Sequence, residues 1–239
     1  MSWLAQLLRP KVDLPPAAAR ALEEWRALPA VSEETPLART RFIVMDIETS
    51  GLDPRRDALL SIGAVVVEGM RLAPRYTFSA VLRNEVPSSR DNVLIHGLTP
   101  SMQIEGEPRE QALSEFLTFA GKSPCVAYHA GFDRVALDRA LRRALGVRTD
   151  NPWIDLAQLA PALVPQAHLH NAALDDWLAH FRLRAHVRHN AVHDAQVAAE
   201  LFLILLARAV SRGVATLGEL RALAEAHARF TTRGDITGA

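Results

Sequence analysis

The sequence predicts an α/β fold, a single mixed sheet flanked by helices. Two observations carry this. Three strand-like runs come first, at 41–47, 59–69 and 74–83, and from about residue 108 onwards helical and strand patterns alternate. The 239 residues are 49% hydrophobic, enough for one sizeable core with extensions.

Residues 1–40 read as an N-terminal helical extension and linker. "PPAAARALEEWRAL" (15–28) is a short amphipathic helix with prolines at its start, and "PAVSEETPLART" is a polar connection. Docking on a protein partner and packing on the neighbouring domain are both open to it. The strand "LLSIGAVVVEG" (59–69) leads through a Gly-containing turn to "PRYTFSAVLR" (74–83). "PREQALSEFLTFAG" follows as a helix, and "PCVAYHAG" (124–131) is a buried strand leaving into a loop. "DRVALDRALRRALG" is a helix closed by Gly146. "WIDLAQLAPAL" passes from strand to helix, and "NAALDDWLAHF" and "NAVHDAQVAAELFLILLARAVSRG" are helices. Residues 213–239 are expected to be a last helix with a frayed tail.

Charge is balanced at 27 basic and 27 acidic residues, so any nucleic-acid contact must be local. A single cysteine, Cys125, allows no intrachain disulfide. The N-terminal stretch lacks signal-peptide anatomy, and "LFLILLARAV" (201–210) is too short to span a bilayer. The expectation is a soluble cytoplasmic protein without membrane contact.

Four carboxylates stand on elements that should face the core. In "FIVMDIETSGL" (42–52), Asp46 and Glu48 lie two apart, on one face of a strand and near its carboxyl end. That edge is where ligands bind in open α/β sheets. Asp133 shares a helical face with Leu137, Ala140 and Ala144. Asp194 follows a plausible N-cap, Asn190, and shares a face with Ala198, Leu201 and Leu205. Singly, Asp133 and Asp194 read as first-turn acids favoured by a helix dipole. Four converging carboxylates cannot all stay ionised without cations, and oxygen ligands in that number suit Mg²⁺ or Mn²⁺. A pair of such ions is the usual apparatus for displacement at phosphorus. A zinc site on His189 and His193, four apart, is the rival, but Asn190 stands where the hydrolytic H-E-x-x-H pattern needs Glu.

"DIETSGL", "HAGFD" and "HNAVHDA" occur in the order and spacing of three exonuclease motifs. The chain resembles the DEDDh 3′–5′ exonucleases of RNase H-like fold, a group that includes the proofreading subunit of bacterial replicative polymerase and ribonuclease T. The resemblance implies a mixed five-stranded sheet and an exonuclease domain over 41–212. It implies two Mg²⁺ or Mn²⁺ ions held by Asp46, Glu48, Asp133 and Asp194, with His189 as general base. It also implies that Thr49, Gly51 and Leu52 border the 3′-terminal nucleotide, and that His96 of "IHGLT" lines its pocket. Tyr128 and His129 stand where the family commonly has His and Asn, a departure that bears on substrate contacts. The partner implied is the 3′ end of single-stranded DNA, with RNA or short oligonucleotides on the same site as the alternative. A non-catalytic nucleic-acid-binding module is a third reading. "RALRRALGVR" (139–148) and "RLRAHVRH" (182–189) offer positive charge for phosphates and read equally as solvated faces.

Overall fold

In a computed structural model of the chain, residues 13–169, 171–184 and 190–234 are described, the side chains of 231–234 excepted. His189 and the end of the 182–189 basic stretch lie outside the described residues, as do residues 1–12 and 235–239.

The first strand, β1 (Arg41–Thr49), is central. It pairs antiparallel with β2 (Leu59–Glu68), which pairs antiparallel with β3 (Arg71–Val81). On its other side β1 pairs parallel with β4 (Cys125–Ala127), and β4 with β5 (Trp153–Asp155), giving a five-stranded sheet of order 3-2-1-4-5. Period-two alternation divides the side chains of β1 between two cores. Phe42 and Val44 face α6 (Leu156–Leu163), α7 (Leu174–His180), α8 (Ala191–Ser211) and α9 (Leu217–Gly234). Ile43, Met45 and Ile47 face α1 (Pro16–Ala27), α4 (Arg109–Ala120) and α5 (Ala130–Leu145). Each fully buried aliphatic or aromatic side chain contributes about 1.5–3 kcal/mol over its exposed state. Phe42 meets Phe202 of α8 edge-to-face at 5.0 Å, which fixes that helix across the strand.

The described part of the extension packs on this body. Leu22 and Trp25 of α1 are buried in the second core, and Trp25 Nε1 donates to Gly121 O at 2.9 Å. Residues 33–37 run beside the start of α9, where Leu37 N–H donates to Ala215 O and Leu217 N–H to Thr35 O. Among the described residues, no helix is long and apolar enough to cross a membrane.

Two short helices, α2 (Arg90–His96) and α3 (Pro100–Ile104), have no counterpart in the periodicity. They are set by side-chain caps: Ser89 accepts from Asn92 N–H and Thr99 from Met102 N–H. Their apolar residues Leu94, Ile95, Met102 and Ile104 are exposed, so no buried stripe announces them. Helix α5 starts at Ala130, earlier than the run from Asp133 suggests, because His129 adopts a left-handed conformation (φ 61°) and turns the chain directly out of β4.

Candidate active site

The site lies at the carboxyl end of β1. Asp46 and Glu48 project on the α8 side of the strand, the face that Phe42 and Val44 occupy further down. Helix α8 supplies Asp194, which is buried. Each of the three places a carboxylate oxygen within 4.8 Å of the other two.

Two local features deliver Asp194. Asn190 Oδ1 accepts from Val192 N–H (3.2 Å) and His193 N–H (3.3 Å), which fixes the first turn of α8. That turn rests on Gly63, the cross-strand partner of Asp46. A Cβ on Gly63 would lie 2.1 Å from Ala191 C and 2.2 Å from Val192 N, so only glycine lets the helix end sit there. His193 points outward and is exposed.

Asp133, in the first turn of α5, is buried with 4% exposure. Burial, followed by the charges of Asp155 and Glu48, pushes its carboxyl up to about 8 against the pull of a backbone hydrogen bond. The Asp155 carboxylate is itself raised, by burial first. Its Oδ1 accepts from His129 N–H and from Ala157 N–H, both at 3.0 Å. It thereby caps α6 and ties down the turn that presents Asp133. Tyr128, half-buried, donates its hydroxyl to Ala172 O, and burial raises its pKa.

The loop after β1 is closed on itself. The β1–β2 register shifts between Glu48 and Thr49, and Thr49 Oγ1 donates to Gly51 O at 2.6 Å. Ser50 N–H donates to Ala58 O and Ala58 N–H to Ser50 Oγ, both at 2.9 Å. A Cβ on Gly51 would fall 2.5 Å from Asp57 Oδ2. Asn92 of α2 donates its amide to Ser50 O, joining α2 to the loop. Leu52 at the loop tip is 92% exposed. His96 is buried instead. Its Nδ1 accepts from Leu98 N–H at 3.0 Å, its Nε2 lies 3.1 Å from Ser88 Oγ, and burial lowers its pKa.

The donor set fits divalent cations. Three carboxylates crowded on half-buried or buried positions form a like-charge cluster that a hard cation stabilises, and buried Asp133 stands close enough to feel the charge of Glu48. Sequence patterns alone do not single out Gly63, Asp155 and Asn92. A glycine inside the apolar run "LLSIGAVVV" does signal a close backbone approach, and an acid between "WI" and a helical run does signal a cap.

A carboxylate cluster at the carboxyl edge of a 3-2-1-4-5 mixed sheet is an arrangement that suits a divalent-cation site on an RNase H-like fold. Residues 43–202 match the RNase_T family model, described as exonuclease, and the chain belongs to that exonuclease family. It is 31% identical over 193 residues to a Thermotoga maritima protein named DNA polymerase III PolC-type, covering 81% of this chain and 14% of that protein. It is 31% identical over 202 residues to a Rhodobacter capsulatus DNA polymerase III subunit epsilon-like protein, covering 82% of this chain and 28% of that one. The chain thus spans a minor part of these relatives. Its fold is that of E. coli Exonuclease I, solved with a dT13 oligonucleotide (TM-score 0.62, 18% identity, 72% of this chain and 42% of that one). It is also that of Exonuclease X, solved with 5′ overhanging duplex DNA (TM-score 0.58, 22% identity, 77% of this chain and 99% of that one).

Proposed function

We propose that this exonuclease works in the 3′–5′ direction on single-stranded DNA ends, using two Mg²⁺ or Mn²⁺ ions, and releases nucleoside 5′-monophosphates. The observation that carries the reading is the convergence of Asp46, Glu48 and Asp194 within 4.8 Å, beside buried Asp133. These four acids would hold the cations. When bound, the cations supply Lewis-acid polarisation of the scissile phosphate and stabilise charge on the leaving 3′ oxygen.

The remaining work falls to the chain's own side chains. His189 accepts a proton from the attacking water, the role that the resemblance of "HNAVHDA" to the third exonuclease motif implies for it. Histidine is the side-chain type suited to general-base work near neutral pH. As water attacks phosphorus, the bond to the 3′ oxygen breaks and that oxygen takes up a proton. Thr49, Gly51 and exposed Leu52 border the terminal nucleotide, and His96 supports the pocket wall from within the α2–α3 segment.

The test is incubation of 5′-labelled DNA and RNA of matched sequence with the protein in Mg²⁺, in Mn²⁺ and in EDTA, beside Asp46→Ala. Metal-dependent shortening of DNA from the 3′ end, lost in the variant, is the expected result. Faster shortening of RNA would transfer the site to exoribonuclease work, since the 2′-OH is the distinguishing group. Intact strands with both metals would overturn the reading.

A further inference from the structure

The α4–α5 side of the sheet carries a basic cavity that the acidic centre does not use. Arg109, the first residue of α4, joins Arg139 and Arg143 of α5 around a cavity of about 330 Å³, with Asn84, Leu59 and Glu110 in its wall. Arg109 and Asn84 also line an adjoining cavity of about 440 Å³ that contains Arg83.

Local bonds hold two of these guanidinium groups, Arg139 and Arg109, in place. Arg139 Nη1 donates to Arg55 O at 3.3 Å and to Arg56 O at 2.7 Å, while its buried Nε has no partner. Arg109 donates to Leu59 O at 3.4 Å and to Asn84 Oδ1 at 3.2 Å. Arg143 is exposed and makes no ion pair among the described residues.

The arrangement is costly by itself. Burial, and then repulsion from Arg139 and Arg143, lowers the Arg109 pKa; burial and Arg143 do the same to Arg139. Glu110 for Arg109, and Asp57 and Asp53 for Arg139, act in the opposite sense. Arg109 also occupies the first turn of its helix, the end where the dipole disfavours a cation. Guanidinium groups pre-positioned on carbonyls, with donors left over, match an anion with several oxygens, and phosphate is the geometric fit.

We propose that the Arg109–Arg139–Arg143 cavity binds a backbone phosphodiester of the strand whose 3′ end occupies the acidic centre. The proposal rests on the exonuclease reading and adds to it a subsite away from the reacting bond. The loop 50–58 makes the link: it leaves β1 directly after Glu48 and Thr49, at the acidic centre, and its end, at Arg55–Arg56 and Ala58, supports the arginines. Strands long enough to pass this loop reach both sites, and very short ones reach only the first. The enzyme therefore binds long strands more tightly than its acidic centre alone would.

The test compares wild type, Arg143→Gln and Arg143→Glu, with Arg109→Gln as a second position. Fluorescence anisotropy would measure binding of a thymidine trinucleotide and of a long oligothymidylate, in Ca²⁺ to suppress turnover, across a salt series. Arg143→Glu should weaken the long strand several-fold and lower its salt slope by about 0.7 for each phosphate that is no longer neutralised, with Arg143→Gln intermediate. Trinucleotide binding and its turnover in Mg²⁺ should not change. Unchanged affinity and slope for the long strand would overturn the proposal, as would an equal weakening of both substrates. Inorganic phosphate that raises the melting temperature of wild type but not of Arg143→Glu, with long-strand binding unaffected, would make this a free-anion site instead. Failure of wild type to shorten any strand in either Mg²⁺ or Mn²⁺ would refute the exonuclease reading separately, because the binding arms need no turnover.

Discussion

Helices α8 and α5 each present one acid from a first turn, Asp194 in the carboxylate cluster and Asp133 within reach of the Glu48 charge, but they are held there by different means. Helix α8 is fixed by its own sequence and by contact. Asn190 caps it two and three residues ahead, and Gly63 admits its backbone onto the sheet beside Asp46. Helix α5 has no side-chain cap: its N-cap position is His129 in a left-handed conformation. The turn is held from 26 residues away by Asp155, which takes the His129 N–H. An acid set by local capping is positioned by its own helix, whereas one set by a distant carboxylate depends on the packing of the neighbouring strand.

The largest effect is expected at the contact side of this comparison. Gly63→Ala should force α8 off the sheet, because no rotamer relieves a Cβ built against main-chain atoms. Overpacking of this kind costs about 1–3 kcal/mol. A displacement of the order of 1 Å between Asp194 and Asp46 should cut the rate about 100-fold. Steady-state kinetics and a melting curve would show both effects together. A variant that melted early yet kept its rate would mean that the α8–β2 contact does not set the acid geometry.

On the α5 side, Asp155→Ala removes an acceptor from two N–H groups and should lower the rate by about 10–100-fold, the usual effect of a residue that orients a ligand. Asp155→Asn keeps an acceptor oxygen and should recover much of the rate. It should also ease the upward push on Asp133, to which the Asp155 charge contributes. Equal rates for the two variants would show that the charge of Asp155, and not its hydrogen bonds, is what matters.

The same contrast decides what could be read from the chain beforehand. The mixed sheet, the strand bearing Asp46 and Glu48, and the α8 face bearing Asp194 are legible because period-two and helical patterns place these acids among apolar neighbours, and Asn190 signals the helix start next to them. The sheet order 3-2-1-4-5 is not a property of any one segment. Helices α2 and α3 are hidden because they bury little and are held by Ser89 and Thr99. Asp155 and Arg109 look ordinary in sequence. Their importance comes from residues brought near by the fold: His129 for Asp155, and Arg139 and Arg143 for Arg109.

Asp133 gives a pH test of the two sides. In the metal-free protein its carboxyl is raised to about 8 from an ordinary value of 3.8, so between these values the folded state holds more protons than the unfolded one. Stability from this group is therefore lost as pH rises from about 4 towards 8. Added Mg²⁺ should reverse the trend, raising the melting temperature more at pH 8 than at pH 5, because ligand carboxylates must be ionised to bind it. Asp133→Asn should flatten the metal-free profile. A metal-induced shift independent of pH would exclude Asp133 from the cation site.

The smallest effect should come from Asn190→Ala. Removing this cap should cost about 1 kcal/mol, which is about 2–4 °C in melting temperature for a chain of this size. The rest of α8 would hold, since Ala195, Leu201, Phe202 and Leu205 are buried along its length. Asn190→Asp should restore the melting temperature, because Asp caps as well as Asn and suits the positive end of the helix. It also adds a charge beside Asp194, so restored stability with a changed Mg²⁺ dependence is the expected outcome. Should Asn190→Ala instead cost as much activity as Gly63→Ala, the cap and not the backbone contact would be the device that places Asp194.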